Sequence, residues 1–154
     1  MPKADELSIK IDSTALLESL RRIGGGIDLA LHKAVSELIE KGKEKVREKA
    51  PKPGQKPWTT GDLRNSIKSR LSELQGEIYT EKFYAWFVEK GTRSHWIGSP
   101  VLIGGVGWRY IGQHPGTTPQ PMFDPTRREL EDDAPQIVRK HITKLIRENA
   151  RKGL

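Results

Sequence analysis

Between Gly24-Gly25-Gly26 and the prolines Pro51 and Pro53 lies a stretch that leaves the chain little choice of fold. Ile27, Leu31, Ala34, Val35, Leu38 and Val46 recur at near-helical spacing on one side, while Glu37, Glu40, Lys41, Glu44 and Lys45 supply the other. The spacing predicts one long helix that begins after the glycines and stops at Pro51. Each buried aliphatic contributes roughly 1.5 to 3 kcal/mol of transfer free energy, so the stripe is strong enough to anchor the helix on a sheet.

The flanking sequence supplies that sheet. Leu7, Ile9 and Ile11 alternate with Ser8, Lys10 and Asp12, the period of a half-buried strand at about 6 to 12. Ser13 or Thr14 can cap a short helix through Leu16, Leu17 and Leu20, ended by the glycines. Beyond the Pro, Lys and Gly loop at 51–57, Thr60 and Asp62 offer two N-caps for a short helix carrying Leu63 and Ile67. A hairpin follows, with strands over 67–74 and 77–80 and its turn near Gln75-Gly76. Phe83, Tyr84, Trp86, Phe87 and Val88 predict a short helix with Phe83, Trp86 and Phe87 on one face and Gly91 as its C-cap.

Residues 92–121 differ in kind. Gly and Pro recur, and Trp96, Ile97, Val101, Leu102, Ile103, Val106, Trp108, Tyr110 and Ile111 show no long-range period, with room for one hairpin around Gly104-Gly105. A loop of this length is unusual inside a compact domain and is typically functional or mobile. Asp124-Pro125 then places an N-cap beside a proline in the first turn of a last helix. Pro135 implies a kink or a second start, and Val138, Ile142, Leu145, Ile146 and Asn149 give the helix an apolar stripe ending in a basic tail.

With 154 residues, the chain is expected to form a single domain over 1–154. It divides into an N-terminal strand and helices at 6–50, a motif core with hairpin at 58–92, a long mobile loop at 93–121 and a C-terminal helix at 124–152. The fold class expected is α+β, a small antiparallel sheet packed against a long N-terminal helix and a C-terminal helix, with a long protruding loop. Hydrophobic content of 34% beside 31% charged residues leaves part of the apolar surface to be completed by a partner. Zero cysteines exclude disulfides, thiolate catalysis and thiolate metal sites, and fit a reducing cytoplasm. No apolar run approaches the roughly 18 residues that span a bilayer, and the start lacks the apolar stretch of a signal peptide, so no membrane partner is expected.

The net charge of +7 invites a basic nucleic-acid-binding module as the alternative reading. The basic residues, however, concentrate at 41–49 and in Arg139, Lys140, Lys144, Arg147, Arg151 and Lys152, in helix C-terminal halves where cations offset the helix dipole. At most nonspecific DNA contact follows. Lys140, Lys144, Arg147 and Arg151 recur at three- and four-residue steps and form a basic ridge, of which Lys144 and Arg147 are the candidate interface residues.

Signs of bond chemistry are sparse. His32, His95, His114 and His141 lack metal-ligand spacing, although His95 and His114 approach each other if the long loop folds as a hairpin. Glu89, behind an aromatic cluster, is the best carboxylate for a general base, with Asp62 and Glu81 near it only by neighbourhood. The structural alternative pairs it with Arg64 or Arg93 to fix the surrounding loops. Gly104-Gly105-Val106-Gly107 lacks the lysine of a phosphate loop, so no cofactor is expected. Trp96, Trp108 and Tyr110 are large anchors of the type enriched in interface hot spots, or they close the core under the loop.

Three phrases, in order, carry a resemblance: Thr60-Gly61-Asp62-Leu63-Arg64-Asn65-Ser66-Ile67, then Tyr84-Ala85-Trp86-Phe87-Val88-Glu89-Lys90-Gly91-Thr92, then Pro119-Gln120-Pro121-Met122-Phe123-Asp124-Pro125. The chain resembles, over about 27–150, the gene-product-ten-like minor tail component family of long-tailed phages and prophages. Thr60, Gly61, Leu63, Arg64 and Ile67 match the family's first phrase, and Tyr84, Ala85, Glu89, Gly91 and Thr92 its second. The chain departs from the pattern in the longer stretch between Thr92 and Pro119 and in Met122-Phe123-Asp124. The resemblance implies a structural virion protein and no enzyme: a tail-completion or head-tail joining subunit, a homo-oligomer in the assembled particle, ringed at the head-proximal end of the tail. Its partners would be other phage neck and tail proteins, and its location the host cytoplasm during assembly and the virion neck afterwards.

Overall fold

The computed structural model describes residues 7–20, 26–55, 59–96, 98, 101–103, 107–109 and 112–152. In chain order its elements are β1 (Ser8–Asp12), α1 (Thr14–Leu20), α2 (Ile27–Lys49), α3 (Asp62–Asn65), β2 (Ile67–Leu71), β3 (Gln75–Thr80), α4 (Ala85–Lys90), β4 (His95–Trp96), β5 (Val101–Ile103), β6 (Gly107–Arg109), β7 (Gln113–His114) and α5 (Phe123–Lys152). The class is α+β, as expected. β1, β3 and β2 form an antiparallel sheet in that order, with Ile9 opposite Ile78 and Ile67 opposite Thr80. The sheet lies against α2, and α5 runs beside α2.

The stripe that opened the chain's logic is buried as predicted: Ile27, Leu31, Ala34, Val35, Leu38 and Val46 all face inward, joined by Ala30, Ile39 and Gly42. Ile9, Ile67 and Ile78 meet Val35, Leu38, Ile39 and Val46 from the sheet, and Met122, just before α5, closes the core with Phe123, Leu130 and Ile137 of that helix. The last helix's stripe is therefore displaced from the expected one. Its inward residues are Phe123, Thr126, Leu130 and Ile137, with Val138 and Leu145 packing at the margin and Ile146 49% exposed. α5 also runs through Pro135 as one helix, so no second start exists.

The hairpin turn is earlier than predicted. Ser72 N–H donates to the Gln75 carbonyl at 2.8 Å, while Gln75 and Gly76 belong to β3. Gly76 pairs with both Ile11 and Leu71 in the central strand and lies so close over Ile39 that a Cβ there would strike its side chain. Its lack of a side chain serves packing, not a turn.

Caps are where local sequence reasoning is most often corrected. For α1 the acceptor is Asp12, whose carboxylate takes the Thr14 N–H at 2.9 Å, while the Ser13 hydroxyl donates to Leu74 O. For α3 the cap position itself is held by Gly61 at φ 85, and Asp62, the first helical residue, donates its N–H to the Thr60 hydroxyl at 3.4 Å, so of the two candidates Thr60 is the acceptor. Ile67 leaves the helix altogether and starts β2. Phe83 precedes α4 and is 74% exposed, so the expected aromatic face is not the buried one; Ala85 and Glu89 are.

The stretch after Thr92 is a protruding arm built from short strand pairs. β4 pairs with β7, setting His95 opposite His114, and β5 pairs with β6. The strands flank the hairpin expected at Gly104-Gly105, whose own residues lie outside the described ones, as do Gly24, Gly25 and Tyr110.

Candidate functional site

The three sequence phrases converge on one junction, and Glu89 is its centre. α4 turns Ala85 and Glu89 inward, and Glu89 is 1% exposed. Its Oε2 accepts the Met122 and Phe123 N–H groups at 2.7 and 3.0 Å, and its Oε1 accepts the Asp124 N–H at 2.9 Å. These are orphan amides of the first turn of α5, where a carboxylate also meets the positive end of the helix dipole. The expected partners Arg64 and Arg93 are not its partners, and Asp124 is not the cap of α5. Asp124 instead pairs with Lys90, whose ammonium holds the Asp124 carboxyl below the ordinary carboxylate range. Thr126 completes the turn by donating its hydroxyl to Met122 O at 2.7 Å.

This arrangement removes the basis of the general-base reading. A base must reach the proton it abstracts. Both oxygens of Glu89 are sealed from solvent and occupied by backbone donors, so the group positions a helix. Sequence reasoning saw the carboxylate and the helix start separately; the signal that joins them is an acid in an apolar phrase and a Pro-flanked helix start with no free cap of its own.

Around this junction the other motif residues divide by role. Leu63, Ile67 and Ala85 are core residues. Ser66 donates its hydroxyl to Leu63 O at 2.7 Å and lies 2.7 Å from the Thr80 hydroxyl, tying α3 to β3. Arg64 is half-buried and Thr60 exposed. Gly91 closes α4 at φ 70, ψ −178, a region reached almost only by glycine, and a Cβ there would meet Thr117 O at 2.5 Å. That contact fixes the root of the arm. Thr92 and Thr117 exchange both backbone hydrogen bonds, at 3.0 and 3.1 Å, and Gln120 N–H donates to Val88 O at 2.8 Å.

Between α3, α4 and the arm root runs a largely apolar groove of about 730 Å³. Thr60, Gly61 and Leu63 line it together with Tyr84, Phe87 and Val88 and with Thr92, His95 and Thr117. Burial pushes the Tyr84 phenol up, and the Asp62 carboxylate adds to that shift, so Tyr84 stays a neutral donor. Thr59, Thr118 and Gln120 join this lining; Gln120 belongs to the third phrase, and nothing in the sequence context of the two threonines singles them out.

On the arm, the rings of His95 and His114 stand 5.0 Å apart, as a folded hairpin implies. Trp96 lies over Gly112 yet is 69% exposed, and Leu102 is 64% exposed. Trp108 belongs to β6. Lys144 and Arg147 are exposed on α5, whereas Lys140 is engaged, donating to both oxygens of Glu37 at 2.9 Å. His32 and His141 have partners too: Glu73 O at 2.8 Å and Glu37 at 2.8 Å. Among the described residues no group of His, Asp and Glu is placed to hold a metal ion, and no helix is long and apolar enough to cross a membrane.

Residues 14–91, about half of the chain, match the model of the family described as "Bacteriophage HK97-gp10, putative tail-component". The matched stretch holds the first phrase whole and the second up to Gly91, and stops before Thr92, the arm and α5. No curated protein and no solved structure matches the chain.

Proposed function

Since the chain belongs to the HK97-gp10-like family of phage tail components, we propose that it is a tail-completion or head-tail joining subunit. It would assemble as a ring at the head-proximal end of the tail, in the host cytoplasm first and in the virion neck thereafter. The mechanism is surface complementarity without bond chemistry or cofactor. Its partners are other copies of itself and the adjoining neck and tail proteins.

One observation carries this reading. An arm with Trp96 and Leu102 exposed projects from a root that family-phrase residues hold rigid at Gly91 and Thr92. Exposed aromatic and aliphatic anchors on a fixed mount are the equipment of a subunit that docks on a neighbour. Deleting the gene from its phage or prophage and imaging the particles tests it. Heads and tails should accumulate unjoined or with unfinished tail ends and be rescued by the gene in trans; normal joined particles overturn the reading. The basic-module alternative draws on the exposed cations of α5, and a salt titration of duplex DNA binding separates the two, since a specific binder shows both a steep salt slope and a sequence preference.

A further inference from the structure

The seam between α2 and α5 shows how this chain joins two helices. Lys41, Lys45 and Lys49, at four-residue steps, face Glu129 and Asp133 on the antiparallel neighbour, with Nζ–carboxylate distances of 2.9 Å for Lys41–Asp133, 2.7 Å for Lys45–Glu129 and 2.9 Å for Lys49–Glu129. One row of cations meets one row of carboxylates. The same two helices each carry a second charged row that no other helix answers among the described residues. On α2 it is Glu40, Glu44 and Glu48, all exposed; Glu40 reaches only Lys43, at 3.9 Å, and the other two have no hydrogen-bond or ion-pair partner among the described residues. On α5 it is Lys144, Arg147 and Arg151, likewise exposed and without a partner among the described residues.

The two rows fit each other. At the helical rise, three carboxylates at four-residue steps span about 12 Å, and three cations over seven residues span about 10.5 Å. The signs are opposite and the lengths agree. Within one chain the rows stay apart, because α5's contact with α2 is already taken by the lysine seam and by Lys140 and His141 on Glu37. We infer that the Lys144, Arg147 and Arg151 face of α5 docks on the Glu40, Glu44 and Glu48 face of α2 in a second copy of this chain. Two unlike surfaces that fit each other on one chain make a head-to-tail contact, which closes as a ring where the rotation allows. The inference rests on the subunit reading above and adds which surfaces meet.

Charge-reversed full-length chains test it. Chain one carries Glu44→Lys and Glu48→Lys, chain two Lys144→Glu and Arg147→Glu, and melting curves confirm that both fold. Sedimentation velocity at low ionic strength should show that the parent self-associates, that salt weakens this association, and that each variant alone associates at least tenfold more weakly. Mixing the two variants should restore association, because the cations of chain one then face chain two's native carboxylates, and chain one's new lysines face chain two's new glutamates. A parent that stays monomeric at low salt, or a mixture no better than its components, overturns the inference. So does a ridge variant that keeps self-association while losing retention on duplex DNA, which would assign the ridge to nucleic acid. Incorporation into particles separates the two readings. If the variants enter complete tails as the parent does, this interface is wrong and the tail reading stands; if the parent itself is absent from particles, the tail reading fails whatever the solution association shows.

Discussion

The body and the arm solve the problem of backbone satisfaction in different ways. In the body, partners come from far along the chain: Glu89 caps a helix 33 to 35 residues away, and the sheet joins β1 to a strand more than sixty residues on. In the arm, β4 pairs with β7 and β5 with β6, each a strand of two or three residues, and Trp96 and Leu102 remain in solvent. A region held by long-range buried contacts opens only with the whole fold, whereas a short local hairpin opens at small cost. The junction at Glu89 and Gly91 separates the two regimes.

Removing Glu89 should give the largest effect. Hydrogen bonds to a charged acceptor contribute about 1.5 to 3 kcal/mol each, and Glu89→Ala leaves three amides at a buried helix start without one, so a loss of roughly 3 to 5 kcal/mol is expected. Glu89→Gln, which keeps one carbonyl oxygen but turns a donor toward the remaining amide, should lose less. Urea unfolding measures both. An alanine variant as stable as the parent would mean that the body does not depend on this cap. The next effect in size is Gly91→Ala. A residue with a Cβ held in that backbone region costs of order 1 to 3 kcal/mol, and the clash with Thr117 O adds the choice of straining α4 or displacing the arm root. Thermal melting gives the strain, and a shift in the NMR signals of Thr92 and Thr117 gives the displacement.

The same division governs what could be read from the sequence. Elements of the body were legible because periodicity is a local record of which face is buried: the α2 stripe and the alternation of β1 follow from it, and so does the existence of the hairpin, though its turn, expected at Gln75-Gly76, lies earlier. The caps were legible only in part: Asp12 and Thr60 accept the first amides of α1 and α3 from two residues back, whereas the acceptor for α5 lies 33 to 35 residues away. Asp124 is well placed for α5, yet Glu89 wins by being buried and by reaching three amides at once. The groove is lined from stretches far apart in the chain, around Thr60, Tyr84 and Thr117, so no single stretch announces it. In the arm, strands of two or three residues are too short for a period to show, and what could be anticipated was a hairpin around Gly104-Gly105, which β5 and β6 flank, and the proximity of His95 and His114.

Acid should sharpen the contrast. Lys45 and Lys49 hold Glu129 below its ordinary value, Lys41 and Lys45 do so for Asp133, and Lys140 and His141 for Glu37. A carboxyl whose folded pKa is depressed contributes stability that is fully present above its unfolded value near 4 and is lost as pH falls through the folded one. The melting temperature should therefore be level from neutral pH to about 5 and drop below about 4. Exposed pairs individually contribute little, so the drop should be smaller than that from Glu89→Ala. Residues 92–118 contain no Asp or Glu, so the arm has no carboxylate to titrate. A melting temperature flat down to pH 3 would show that the α2–α5 seam adds nothing to the body.

The smallest effect on stability should come from Trp96→Ala, and it tests the arm directly. The indole covers Gly112 but is 69% exposed, so little apolar area leaves the interior and stability should change by no more than about 0.5 kcal/mol. Assembly should respond quite differently, because the exposed ring keeps its apolar area in reserve for a neighbour. In complementation, the variant should enter tails poorly or leave them unjoined although it melts like the parent. Hydrogen exchange reads the same contrast from the other side: arm amides should exchange within seconds in the free chain and slow markedly in assembled tails, while those of α2 are protected in both. If Trp96→Ala destabilises the free chain by as much as Gly91→Ala, or if the arm is strongly protected before assembly, the arm belongs energetically to the body and the docking surface lies elsewhere.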